Sequence, residues 1–125
     1  MTASNEQILR HFLALWAVRD AEGMAALFAE DGIYDNVPFK KPMVGRTAIR
    51  RWLGMCFEHL TRIDVEILNI ASQDEWILCE RLDVHVIGDR HMPLPVMGAI
   101  RIVEGKIVML RDYFDRQTVT ELGMG

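Results

Sequence analysis

Arg81 and Asp83 stand two residues apart in the heavily apolar run Trp76 to Ile87, and Asp112 stands in a similar run, Ile107 to Phe114. The β-branched and aromatic content of both runs predicts strands. Side chains two apart on a strand share a face, so Arg81 and Asp83 point one way and Leu82 the other. The same parity puts Val108, Leu110, Asp112 and Phe114 on one face, with Met109, Arg111, Tyr113 and Asp115 opposite. Asp112 therefore falls in an apolar row, where a lone carboxylate would be costly. Arg81 can relieve that cost, because its planar fork can serve Asp83 and Asp112 together and leave the trio at most one net negative charge. Two neighbouring carboxyls rarely titrate independently, so one can keep a proton while the other is ionised. The result is an acid and a base in one cluster.

Further polar groups come from the short extended piece Ile33 to Val37, where Tyr34 and Asn36 share a face and Asp35 lies opposite. If that face is the pocket, a phenol and an amide are available to hold a water or a ligand. Leu94, Val96, Gly98, Ile100 and Ile102 alternate along Pro93 to Val103 as an apolar wall, to which Leu53 and Phe114 are added. His85 shares the face of Arg81 and Asp83 and is a polar lining candidate. His11, His59, His85 and His91 lack metal-ligand spacing, and no metal is expected.

The elements that must position these residues follow from periodicity. Ser4-Asn5-Glu6-Gln7 reads as a capping box before a helix carrying Ile8, Phe12, Leu15 and Trp16. A second short helix runs from about Asp20 through Met24, Leu27 and Phe28, ended by Asp31-Gly32. Phe39 to Gly45 reads as a loop, and Arg46 to about Leu60 as a third helix with Ile49, Leu53 and Phe57 on one side. Strands follow at Ile63 to Ile67, Trp76 to Ile87, Pro93 to Val103 and Ile107 to Phe114, with turns at Gly88 to His91 and Glu104 to Lys106. The tail from Thr118 to Gly125 has no strong pattern. Helices followed by a meander of strands indicate an α+β domain with a mainly antiparallel sheet curved around the helices. The outward row Trp76, Leu78, Glu80, Leu82, Val84 and Val86 is nearly all apolar, enough to expect cover from another subunit.

The chain has 125 residues, half of them apolar, which suits one domain with a substantial core over 1–125. A net charge of −4 without a basic stripe argues against nucleic acid and anionic membranes as partners. Cys56 and Cys79 read as reduced thiols of a cytoplasmic protein, and the charges at Glu6, Arg10, Arg19 and Asp20 exclude a signal peptide or membrane span there.

Tyr34-x-Asn36, Arg81-x-Asp83 and Arg111-Asp112-Tyr113-Phe114-Asp115, in this order and context, resemble the limonene-1,2-epoxide hydrolase family. The likeness extends from Phe28-Ala29-Glu30-Asp31 through Glu104-Gly105-Lys106 to the final strand. The resemblance implies the nuclear-transport-factor-2-like (SnoaL-like) fold, a cone-shaped mixed sheet with helices around a deep pocket, and a homodimer. It implies addition of water to a small apolar epoxide in one step, giving a vicinal diol without a cofactor. On that basis Asp112 is the general base, Tyr34 and Asn36 hold the water, Asp83 protonates the epoxide oxygen and Arg81 bridges the carboxylates. His85 departs from the family, whose residue there tends to be aliphatic. Alternatives on the same fold are a ketosteroid-isomerase-like or polyketide-cyclase-like enzyme, or a non-catalytic ligand-binding module.

Overall fold

A computed structural model describes residues 4–121. Six strands form one open sheet: β1 (Phe28–Asn36), β2 (Met43–Val44), β3 (Arg62–Gln73), β4 (Trp76–Ile87), β5 (Arg90–Val103) and β6 (Lys106–Tyr113). Their order across the sheet is β2-β1-β6-β5-β4-β3. β3 to β6 make an antiparallel meander, whereas β1 lies parallel to β6. The fold is therefore α+β with a mixed, mainly antiparallel sheet, as the sequence predicts. The β5–β6 turn places Glu104 at φ 51° and Gly105 at φ 77°, the left-handed pair that a tight hairpin requires. Pro93 and Pro95 are tolerated in β5 because β6 pairs with that strand only from Met97 onward.

The helices α1 (Asn5–Val18), α2 (Ala21–Ala26) and α3 (Arg46–His59) contribute to the core beside the inner face of this sheet. The Ser4 hydroxyl accepts from the Gln7 amide N–H and the Gln7 side chain accepts from the Ser4 N–H, which completes the expected capping box. Leu9, Phe12 and Leu13 of α1 and Ile49 and Leu53 of α3 pack in one cluster with Ile77, Ile100, Ile102, Ile107 and Leu110 of the sheet. Such burial, at roughly 1.5–3 kcal/mol for each large apolar side chain, holds the helices to the strands. A last short helix, α4 (Arg116–Glu121), follows β6.

Several sequence expectations need correction. The second helix stops at Ala26, and Phe28 already belongs to β1. Asp31-Gly32 does not end a helix but lies within β1, where the register against β6 shifts between Phe28 and Ile33. Within Phe39 to Gly45 the pair Met43–Val44 forms an edge strand against Ile33 and Tyr34. Val108 does not share the inner row, because a register shift between Arg101 and Ile102 puts Ile107 inside instead. Thr118 to Glu121 is helical, and residues 122–125 of that tail lie outside the described residues. No helix among the described residues is long and apolar enough to cross a membrane.

Candidate active site

Three neighbouring strands bring the charged residues together. On β4, Arg81 and Asp83 face inward as alternation requires, and both are buried. On β6, Asp112 faces the same way and pairs with Gly98 of β5 on one side and Asn36 of β1 on the other. Arg81 Nε and Nη2 donate to the two Asp83 oxygens at 3.1 and 2.9 Å. Its Nη1 and Nη2 donate to the two Asp112 oxygens at 2.9 and 3.0 Å. One guanidinium thus grips both carboxylates bidentately, the arrangement inferred from parity alone.

Gly98 makes the grip possible. A Cβ there would stand 2.7 Å from Arg81 Nη1 and 2.9 Å from Asp112 Oδ1. The sequence reading counted Gly98 only as part of an apolar wall, although an isolated glycine inside a strand signals close approach by another group.

The cluster opens on a pocket of about 100 Å³ that continues out to solvent. Asp83 and Asp112 line it, and so do Tyr34 and Asn36, while Arg81 lies behind them. Neither the Tyr34 hydroxyl nor the Asn36 amide is hydrogen-bonded to another described side chain, which leaves both polar groups available to a bound molecule. The Tyr34 ring is fixed by stacking on Phe28 at 5.7 Å and by a tilted contact with Trp52 at 5.2 Å. His85, Leu94, Val96 and Phe114 also line the pocket, as expected.

Leu53 does not. It is wholly buried in the core with Ile49 and Phe57, and α3 turns Trp52 and Cys56, one helical turn apart, toward the pocket instead. Sequence reasoning also missed Trp16, Leu60, Ile63 and Val119 in the lining. The single clue to Val119 is the α4 cap. Asp115, which parity places on the face opposite Asp112, accepts from the Thr118 N–H and hydroxyl at 3.2 and 2.7 Å and so starts that helix.

Burial raises the Asp112 carboxyl above the ordinary Asp range, and Arg81 opposes that rise without cancelling it. Burial works against the Arg81 charge, but Asp112 and Asp83 together hold it firmly protonated. Tyr34 is pushed well above the usual phenol value by burial and then by Asp112, so its hydroxyl stays neutral. Burial lowers the His85 imidazole, and it pushes the Cys56 thiol up to about 12. The pocket therefore combines a carboxyl pair, neutral hydrogen-bonding groups and apolar walls, which suits proton transfer to and from an uncharged ligand.

Residues 3–123 match the profile of the limonene-1,2-epoxide hydrolase catalytic domain. The chain belongs to this family. It is 31% identical over 107 residues to epoxide hydrolase EphG of Mycobacterium tuberculosis, covering 83% of this chain and 68% of that protein. A solved LEH-like epoxide hydrolase from M. tuberculosis is 25% identical, with a TM-score of 0.79, over 91% of this chain and 84% of that one. A protein of ketosteroid-isomerase-like fold from Catenulispora acidiphila, crystallised with trimethylamine, reaches a TM-score of 0.83 over 100% of this chain and 96% of that one. At 20% identity it shows the fold alone. Membership of the limonene-1,2-epoxide hydrolase family carries epoxide hydrolysis with it at the level of the family.

Proposed function

We propose that this member of the family adds water to a small, largely apolar epoxide in one step and releases a vicinal diol. The water sits among the Tyr34 hydroxyl, the Asn36 amide and the Asp112 carboxylate. Asp112 takes a proton from it as its oxygen attacks one epoxide carbon. The carbon–oxygen bond at that carbon breaks, and the electron pair goes to the ring oxygen, which receives a proton from the Asp83 carboxylic acid. One proton enters at Asp112 and one leaves at Asp83, and return of that proton through the cluster or from solvent completes the cycle. Arg81 keeps the carboxyls in one geometry and limits their repulsion. An epoxide is strained and neutral, so an aimed water and a proton donor suffice without a cofactor.

The observation that carries this reading is that Asp83 and Asp112 both line one pocket while sharing a single buried arginine. Incubating the chelator-treated protein with styrene oxide, cyclohexene oxide and limonene oxide tests the reaction, with diol expected. No diol from any of them would overturn it. A single turnover in ¹⁸O-water tests the mechanism: label is expected in the diol at once, and an unlabelled first diol would mean an ester to the enzyme. The outcome with an enolisable ketone discriminates the isomerase alternative.

The partner we propose is a second copy, joined across the outer face of the sheet. Support comes from Leu78, Met97 and Tyr113, which are 44%, 42% and 46% exposed there. Beside them Arg111 stacks on Trp76 at 4.8 Å, and its buried Nε lacks a hydrogen-bond partner among the described residues. The face also carries Glu80, so a two-fold copy can match acidic to basic groups as well as apolar to apolar. The free thiols of Cys56 and Cys79 suit a reducing cytoplasm.

A further inference from the structure

His85 lines the pocket, and the proposed reaction does not use its hydrogen-bonding capacity. Its Nδ1 lies 3.1 Å from the backbone carbonyl oxygen of Asp83. A carbonyl oxygen can only accept, so Nδ1 must carry the hydrogen. Burial keeps the imidazole neutral at physiological pH, and a neutral ring protonated at Nδ1 presents a lone pair at Nε2. No described residue donates to Nε2. His85 lines the pocket, and the Met92 backbone is the ring's second polar neighbour beside the Asp83 carbonyl. The neighbouring walls at Leu94, Val96 and Phe114 are apolar and offer no donor.

We propose that His85 Nε2 accepts a hydrogen bond from a hydroxyl group of the substrate, so that the enzyme favours hydroxylated epoxides over hydrocarbon ones. The inference rests on the epoxide-hydrolase reading and refines its substrate class. His85 is the next inward residue after Asp83 along β4, a displacement of about 6–7 Å. The hydroxyl therefore belongs two or three carbons from the oxirane, which Asp83 engages. Binding a hydrocarbon epoxide strips Nε2 of water and returns nothing, which gives discrimination by an unpaired acceptor.

The test compares cyclohexene oxide with an epoxycyclohexanol whose hydroxyl lies two carbons from the oxirane. The wild-type protein is expected to prefer the alcohol in kcat/KM, and His85→Leu to lower that preference about three- to tenfold, mainly through KM for the alcohol. Equal losses on both substrates, or no wild-type preference, would overturn the proposal. A second measurement is independent of turnover. In ¹⁵N-histidine-labelled Asp112→Asn protein, the His85 resonances should show the Nδ1–H tautomer, and Nε2 should move upfield with the alcohol but not with cyclohexene oxide. An Nε2–H tautomer, or no response to the alcohol, would overturn it as well. Failure to hydrolyse any epoxide, with the Nε2 response intact, would count against the hydrolase reading and leave the hydroxyl contact standing.

Discussion

Arg81 and Asp112 meet through two parallel hydrogen bonds of 2.9 and 3.0 Å, and the same arginine holds Asp83 equally closely. With both carboxyls ionised the buried trio carries one excess negative charge. Asp112→Asn removes that excess and leaves an Arg81–Asp83 pair. We expect turnover to fall by about 10²–10⁴-fold, as for loss of a general base. Thermal melting should stay at or above that of the wild type, as when an active-site group is kept for function at the expense of stability. Near-normal activity in this variant would remove Asp112 from the role of base.

Arg81→Met has the opposite signature. It leaves two carboxyls facing each other in a buried site, and breaking a buried ion pair by removing one partner costs about 3–5 kcal/mol. Calorimetry should show a clearly lower melting temperature, recovering as pH falls and the carboxyls take up protons. A melting temperature unchanged at neutral pH would show that the guanidinium is not needed to hold the carboxyls.

The raised Asp112 carboxyl sets opposite pH trends for activity and stability. As a base Asp112 must be ionised, so the acid limb of kcat/KM should lie above the ordinary Asp value. For stability, the folded state binds the proton more tightly than the unfolded one. This group's favourable contribution is thus complete below the unfolded pKa and lost as pH rises through the folded one. Most carboxylates behave in the reverse sense. Comparing denaturation of the wild type and Asp112→Asn across this window isolates the term, and parallel curves would refute it.

Gly98→Ala should disturb the site from behind. The added methyl meets Arg81 Nη1 at 2.7 Å and Asp112 Oδ1 at 2.9 Å, so the bidentate contact must open. A stability loss of about 1–3 kcal/mol is expected from overpacking. The fall in kcat should exceed the fall in substrate affinity, because Gly98 is absent from the pocket lining. A variant with wild-type kcat would show that the carboxyl geometry tolerates the shift.

Met97→Lys places a charge in the middle of the exposed outer row that pairs Glu80, Met97 and Tyr113. Sedimentation should show dimers for the wild type and monomers for the variant. A wild-type monomer at micromolar concentration would dispose of the proposed interface.

The catalytic candidates were legible because each sits where two-residue alternation survives intact. Arg81, Asp83 and His85 lie in an unbroken ladder against β5, and Tyr34 and Asn36 lie beyond the irregular part of β1. Parity misplaces Val108 because a register shift is a property of two strands together, and neither sequence announces it alone. Spacing alone puts Phe28 in a helix because a short apolar run satisfies both helical and extended spacing, and contact with β6 decides between them. Leu53 and its neighbours Trp52 and Cys56 all fit a broad apolar stripe, and only the direction of packing separates core from pocket. Val119 is one buried residue in a six-residue helix, too short for periodicity to register.

The parallel pairing of β1 with β6 has a consequence for the order of assembly. β3, β4 and β5 can form from contacts close along the chain, and with them come Arg81 and Asp83. Asn36 reaches Asp112 only when the first strand docks beside the last, a distant closure that is slow because the intervening chain must already be ordered. In refolding, most of the sheet can therefore be present before the water-holding side of the pocket exists. Recovery of hydrolysis would then lag behind recovery of β-structure, making catalysis a late reporter of folding.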